Sequence, residues 1–367
     1  MRQTMNASIQ AIEYYLPAKI VSNQELAAAF PEWTIDKIQV KTGIIERHVA
    51  AEGECASDLA EAAARKIFAS GACSPGEIDY LLLCTQSPDH FLPTTACLLQ
   101  HHLGLPTRAG ALDFNLGCSG FVYGLGLAQG LIQTGQASKV LLITAETYSK
   151  FIHPRDRSVR TLFGDAAAAT LLSATPARGR FRSSYVWGTD GSGGENLIVP
   201  AGALRRPCSA ETAQEVSDES GNWRSADNLY MNGAEIFNFT LRAIPECLGE
   251  LLARSGKRLE EIDLFVFHQA NRYMLDHLRR KLKIPQEKFY FWLESCGNTV
   301  SSTIPIALKH AVAEQRLKAG QTVVVVGFGV GYSWGATLLE WPVLGFEASE
   351  TAEAELAEFS ASLPSGS

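Results

Sequence analysis

The sequence predicts an α/β protein made of two similar layered halves, and three observations carry that expectation. Short, almost wholly apolar runs recur along the chain: "LLLC" (81–84), "VLLIT" (140–144) and "VVVV" (323–326). Runs of this length without polar alternation read as strands covered on both faces. Helix-periodic stretches stand between them, such as "SDLAEAAARKIFASGAC" (57–73) and "AIPECLGELLARSGKRL" (243–259). The chain also repeats itself. "GEIDYLLLCT" (76–85) and "EEIDLFVFHQ" (260–269) share Ile-Asp ahead of a buried run, with Ile78 and Ile262 184 residues apart. "TGQASKVLLITAE" (134–146) answers "KAGQTVVVVGFG" (318–329), with Gly135 and Gly320 185 apart. Two matches at nearly one offset point to a duplicated unit, and alternating strands and helices point to packed layers.

Length and composition agree with this class. The 367 residues suit one large or two ordinary domains, and we expect halves at 1–175 and 176–345. The stretch 346–367, acidic and rich in small residues, reads as a disordered tail. With 46% hydrophobic and 19% charged residues the chain reads as a soluble globular protein, and a net charge of −7 argues against nucleic acid as a partner. Residues 1–19 hold no apolar stretch of signal-peptide length, and no run is long enough to span a membrane. Eight scattered cysteines form no C-x-x-C pair and no zinc spacing. The expectation is a cytoplasmic protein with reduced thiols, no metal and no membrane contact.

In the first half the helix at 57–73 leads into the strand at 76–85. A second strand, Ala111–Leu116, breaks at Gly117 and hands over to Cys118. The stretch from there to Ile132 is apolar all round, the mark of a helix in the middle of a large domain. A cysteine in its first turn would meet unpaired N–H groups and the positive end of the helix dipole, which lower a thiol's pKa. The competing reading is an inert buried thiol. The loop Gly188–Leu197 is turn-rich, and the polar segment Pro200–Asn228 reads as an excursion placed to cap a substrate entrance.

In the second half His268 ends a core strand, and Asn298 precedes the helix that answers the Cys118 helix. Pseudo-twofold symmetry would bring Cys118, His268 and Asn298 into one pocket, since such partners are neighbours in space rather than in sequence. "RYMLDHLRRKLK" gives a basic helix in an acidic chain, either a solvated face or a surface for an acidic partner. The glycine runs lack the spacing and acidic partner of a dinucleotide fingerprint.

At these residues the chain resembles the β-ketoacyl-acyl-carrier-protein synthase III family of thiolase-like condensing enzymes, over about residues 8–341. The motifs are "KTGIIERH" (41–48), "CSGFVYGL" (118–125), "FGDAAAA" (163–169), "HQAN" (268–271), "GNT" (297–299) and "GFGVGYSWGA" (327–336), in that order. The resemblance implies a five-layered αβαβα thiolase-like fold and a homodimer. It implies a Cys118, His268, Asn298 triad, where elongating relatives use two histidines and thiolases a second cysteine. A glycine loop without proline separates the chain from plant-type polyketide synthases.

The implied reaction is a decarboxylative condensation. Cys118 takes an acyl group from a thioester, and the backbone N–H groups of Cys118 and Val330 stabilise the oxyanion. His268 and Asn298 donate to the enolate left when a malonyl thioester loses CO₂. Val330 stands where the family has glycine; its donor is backbone, and its side chain would narrow the pocket. Phe328 and Leu92 are implied to line the acyl pocket. Arg157, Lys41, Asn271 and Gly233 are implied for coenzyme A or pantetheine. The family's adenine-stacking tryptophan would fall at Lys37, with Trp33 four residues away, and Ala234 replaces a ligand-contacting asparagine. Arg272, Arg279, Arg280 and Lys281 are implied to dock the acidic acyl carrier protein. No cofactor is implied; coenzyme A and phosphopantetheine thioesters are substrates. Two other readings stay open: a transacylase forming an ester or amide, and a non-catalytic subunit of a heterodimeric synthase.

Overall fold

A computed structural model describes residues 5–176 and 184–342; the acidic stretch 346–367 lies outside the described residues. In chain order the first half contributes β1 (Met5–Tyr15), α1 (Ile35–Thr42), α2 (Ala56–Ala69), β2 (Tyr80–Cys84), β3 (Gly110–Phe114), α3 (Gly120–Gln133), β4 (Lys139–Glu146) and β5 (Ala166–Pro176). The second contributes β6 (Tyr185–Thr189), α4 (Gly233–Ser255), β7 (Leu264–Phe267), α5 (Arg272–Lys281), β8 (Phe289–Tyr290), α6 (Thr303–Ala313), β9 (Thr322–Gly329) and β10 (Ser333–Glu340).

The two five-stranded sheets share one topology. The first runs β1-β5-β4-β2-β3 and the second β6-β10-β9-β7-β8. In each, three parallel strands fill one side and the two remaining strands join on the other through antiparallel pairings. Five layers result. Side chains of α3 (Phe121, Val122, Leu125) and α6 (Ile304, Ala307, Leu308) fill one core together with inward residues of both sheets (Leu82, Val140, Val266, Val323). The other face of the first sheet packs on α2, and that of the second on α4. A helix in the middle layer is covered on every side, which is why "GFVYGLGLAQGLI" carries no polar face.

The repeated Ile-Asp has a physical reason. In each half a single 3₁₀ turn (Pro75–Glu77, Leu259–Glu261) ends at the Ile, which is fully buried. The Asp that follows binds the start of the neighbouring parallel strand: Asp79 accepts the N–H of Lys139 at 3.0 Å, and Asp263 that of Thr322 at 2.7 Å. Lys139 and Thr322 are thus the equivalent positions, two residues off the offset suggested by the glycines.

Three local expectations are corrected. The strand expected over 111–116 is Gly110–Phe114, and it is only half-buried along its length because it forms the edge of its sheet. The helix expected to begin at Cys118 begins at Gly120, with Cys118 in the turn before it. Most of "GTDGSGGENL" winds into a 3₁₀ turn, Gly191–Asn196. The excursion 200–228 packs on residues 151–157. Its tip, a hairpin of Val216–Ser217 and Trp223–Arg224, sits against Arg155 and Arg157: Trp223 donates its N–H to Arg155 O, and Arg155 lies 4.4 Å from the Trp223 ring. No helix among the described residues is long and apolar enough to cross a membrane.

Candidate active site

The site forms where the starts of the two central helices approach the ends of β7 and β9. A buried cavity of about 170 Å³ is lined by Cys118, His268, Asn298, Phe328, Phe163 and Met274, among others. The three residues picked from separate motifs therefore share one chamber.

Cys118 is 5% exposed. Beneath it, Ser119 Oγ meets Ser333 Oγ at 2.6 Å, tying the nucleophile's turn to β10. The glycine loop closes over the sulfur: a Cβ on Gly329 would stand 2.9 Å from Cys118 Sγ, so a side chain there would displace it. The backbone N–H groups of Cys118 and Val330 are directed at Sγ. Two such donors, one from each half of the chain, would suit an oxyanion formed beside this sulfur. The expectation of a lowered thiol pKa is overturned. Burial, with the nearby Glu146, outweighs those donors and pushes the thiol up to about 12, so Cys118 rests as a neutral thiol.

His268 lies one residue beyond β7, 2% exposed, its edge against Phe328 at 5.6 Å between ring centroids. Burial drives its pKa down to about 3, so the imidazole is neutral. Its Nδ1 lies 2.7 Å from Thr303 Oγ1, whose hydroxyl also donates to Val300 O at 3.1 Å. The hydroxyl serves either tautomer. It accepts from Nδ1–H, leaving Nε2 bare, or turns to donate to Nδ1, in which case Nε2 carries the proton. Asn298 Oδ1 accepts the N–H of Val300 at 3.0 Å, so the amide's N–H₂ is the end left for the cavity.

The remaining predicted residues divide. Phe328 and Gly233 line the cavity, and Asn271 lines it while its Oδ1 caps α5 by accepting Met274 N–H at 2.9 Å. Leu92 does not line the cavity of its own chain; it is 83% exposed beside Phe91 at 77%. Arg157 pairs with Glu32 and donates to Ser220 O in the excursion, so its guanidinium is held down rather than free. Of the basic helix, Arg272 stacks on Phe291 at 4.2 Å and pairs with Asp276, and Arg279 turns inward to Ile284 O. Only Arg280 and Lys281 of the four are fully exposed.

Two residues were not singled out in these roles from sequence. Trp33, judged out of register, stands with Lys37 and Lys41 at 5.1 and 5.0 Å from its ring and Arg157 at 5.9 Å. Glu146 ends β4 wholly buried; the lone charge closing "KVLLITAE" was its only signal. No group of three or more metal-ligating side chains occurs among the described residues.

Comparisons with known proteins agree with this geometry. The 3-oxoacyl-[acyl-carrier-protein] synthase III family matches residues 112–191, and its C-terminal module matches residues 252–341. The β-ketoacyl-[acyl-carrier-protein] synthase III of Caldanaerobacter subterraneus subsp. tengcongensis is 35% identical over 93% of this chain and 99% of its own. A crystal structure of a 3-oxoacyl-(acyl-carrier-protein) synthase III superposes with a TM-score of 0.90 at 54% identity, covering 92% of this chain and all of that one. The 3-oxoacyl-(acyl-carrier protein) synthase of Burkholderia xenovorans superposes at 0.85 with 37% identity, over 93% of this chain and 96% of its own. With identity of this extent along nearly the whole length, and both family models matched, the chain belongs to the β-ketoacyl-acyl-carrier-protein synthase III family of condensing acyltransferases.

Proposed function

We propose that the chain condenses an acyl-CoA primer with a malonyl group on acyl carrier protein, with Cys118 as nucleophile and His268 and Asn298 as its partners. The observation that carries this reading is the pair of backbone donors, Cys118 and Val330, aimed at a sulfur that shares its cavity with a neutral imidazole and an amide.

In the first half-reaction Cys118 Sγ attacks the thioester carbonyl while its proton passes to the bare Nε2 of His268. The two N–H groups stabilise the oxyanion, a contribution on the order of 3 kcal/mol for one such donor. Collapse expels the coenzyme A thiolate, which takes the proton from His268 and leaves as the thiol. Before the second, the imidazole changes tautomer by exchanging protons with solvent, losing that of Nδ1 and gaining one at Nε2; the Thr303 hydroxyl turns to donate to Nδ1, and Nε2–H and the Asn298 amide face the malonyl thioester carbonyl. Loss of CO₂ leaves an enolate whose oxygen both donors stabilise. Its carbon attacks the acyl carbonyl, the new C–C bond forms, and Cys118 departs as the thiolate, to be reprotonated.

The surroundings suit these substrates. The cavity is lined mostly by apolar side chains, as an acyl chain requires, and Asn271 and Gly233 lie where a pantetheine arm would pass. Arg280 and Lys281 offer exposed charge to an acidic carrier. A homodimer is supported by exposed Phe91 and Leu92 and by β3, an edge strand with one side unpaired. Leu92 would then complete the partner's pocket rather than its own. The test is incubation with a panel of acyl-CoAs, then malonyl carrier, followed by intact mass and peptide mapping. We expect the acyl group on Cys118 alone, followed by a β-ketoacyl carrier and CO₂. Label on another cysteine, or acyl transfer to a small nucleophile without CO₂ release, overturns the reading.

A further inference from the structure

Glu146 has no part in the reaction described above, yet its carboxylate joins three elements. Oε2 accepts the N–H of Gln86 at 3.0 Å and the hydroxyl of Ser87 at 3.5 Å, both just past β2. Oε1 accepts the hydroxyl of Ser301 at 2.8 Å, in the turn between Asn298 and α6. Two residues earlier on the same face of β4, Thr144 Oγ1 meets Ser302 Oγ at 2.8 Å. The end of this strand thus grips two consecutive residues of the turn. The titratable groups around Glu146 are the thiols of Cys118 and Cys84, the Tyr148 phenol and the Asp165 carboxyl. Among the described residues no ion pair involves Glu146, and its burial pushes the carboxyl up to about 8.

The gripped turn needs holding. Val300 adopts φ +54°, a left-handed conformation that a β-branched residue takes only when its surroundings impose it. On one side of it stands Asn298, whose Oδ1 accepts the Val300 N–H; on the other stands Thr303, which holds His268. An uncompensated buried carboxyl is costly unless its hydrogen bonds are satisfied, and here they are directed at the segment that places both catalytic donors.

We propose that Glu146 is a positioning residue for the condensation half-reaction: through Ser301 it fixes the strained Asn298–Thr303 turn, and so sets where the Asn298 amide and the His268 imidazole stand relative to Cys118. The proposal rests on the reading of those three residues given above. It separates Glu146 from groups that only fill space, because loosening the turn should impair decarboxylation, which uses the Asn298 amide as well as the His268 imidazole, more than acylation, which uses the imidazole and the backbone donors but not Asn298.

The experiment measures acylation of Cys118 by acyl-CoA and CO₂ release from malonyl carrier separately, in Glu146→Gln, Ser301→Ala and, as control, Asn298→Ala. Ser301→Ala removes only the hydroxyl that joins the turn to Glu146, and it should slow CO₂ release by up to about tenfold, the effect of one buried hydrogen bond, with acylation slowed much less. Glu146→Gln can still accept from Gln86 and donate to Ser301 Oγ, so it should largely keep CO₂ release. If Ser301→Ala slows both half-reactions equally, or Glu146→Gln slows CO₂ release as much as Ser301→Ala does, the proposal fails. If Asn298→Ala itself releases CO₂ normally, it is the underlying reading of the triad that fails.

Discussion

His268 Nδ1 lies 2.7 Å from Thr303 Oγ1, so the imidazole is oriented by the first residue of the helix that follows Asn298. One short segment thereby governs both donors of the second half-reaction. Thr303→Val keeps the shape and removes the hydroxyl that selects the tautomer. We expect condensation to fall by about 10–100-fold, the usual loss when a ligand-orienting partner is removed. Thr303→Ser should restore most of it. Equal rates for the Val variant and the wild type would show that the contact sets nothing.

The resting thiol should be sluggish. With its pKa raised from 9.0 to about 12, Cys118 holds little thiolate at neutral pH, about a thousandfold less than an ordinary thiol since each unit is a factor of ten. Raising the pKa moves ionisation to higher pH. Alkylation of the apo protein by iodoacetamide should therefore climb steadily through pH 10 without a plateau. Saturation below pH 8 would show that the helix start and oxyanion donors outweigh burial after all.

Carrier recognition should follow the exposed basic residues only. Reversing Arg280 and Lys281 to Glu should raise KM for the malonyl carrier and abolish its salt dependence, because rim charges act on association and are screened over about 8 Å at physiological ionic strength. Acylation by free acyl-CoA should change little. Arg279→Glu is a different case: that side chain is 18% exposed and turned to Ile284 O, so the variant should lower Tm as well. Unchanged carrier binding at low salt in the double reversal would make this an ordinary solvated face.

Trp33 should matter for coenzyme A and not for the carrier, which has no adenine. Stacking of a base on an aromatic ring contributes about 1–3 kcal/mol, so Trp33→Ala should raise KM for acyl-CoA by tenfold or so while sparing the second substrate. Glu32→Gln should act oppositely, by releasing Arg157 from its ion pair. Parallel KM measurements on acyl-CoA and acyl-pantetheine test both. A Trp33→Ala effect of equal size on the two substrates would rule out nucleobase stacking.

Much of the site was legible because its chemistry sits in local motifs. "CSGF", "HQAN" and "GNT" each mark the end of a strand or the start of a helix, and duplicated architecture brings such ends together. The doubled Ile-Asp revealed the repeat because each Asp has the same backbone partner to bind. What escaped depends on three-dimensional surroundings. The thiol's resting state follows from burial and from Glu146, consequences of packing that no helix-start rule contains. Trp33 reached Arg157 by the path of a loop rather than by register. The fate of Leu92 turns on a surface that a single chain leaves uncovered.

The matched strands leave one asymmetry. Asp79 and Asp263 occupy the same place in the two halves, and counting five residues onward from each reaches Cys84 and His268. His268 opens onto the cavity. Cys84 is instead sealed: its Sγ donates to Leu116 O at 2.9 Å, and a Cβ on Gly120 would meet it at 2.2 Å. A chain of two identical halves would present two equivalent chambers. Here the twofold-related position is filled by a thiol that packs against the helix following Cys118, so the first half lends a wall to the cavity lined by Cys118, His268 and Asn298.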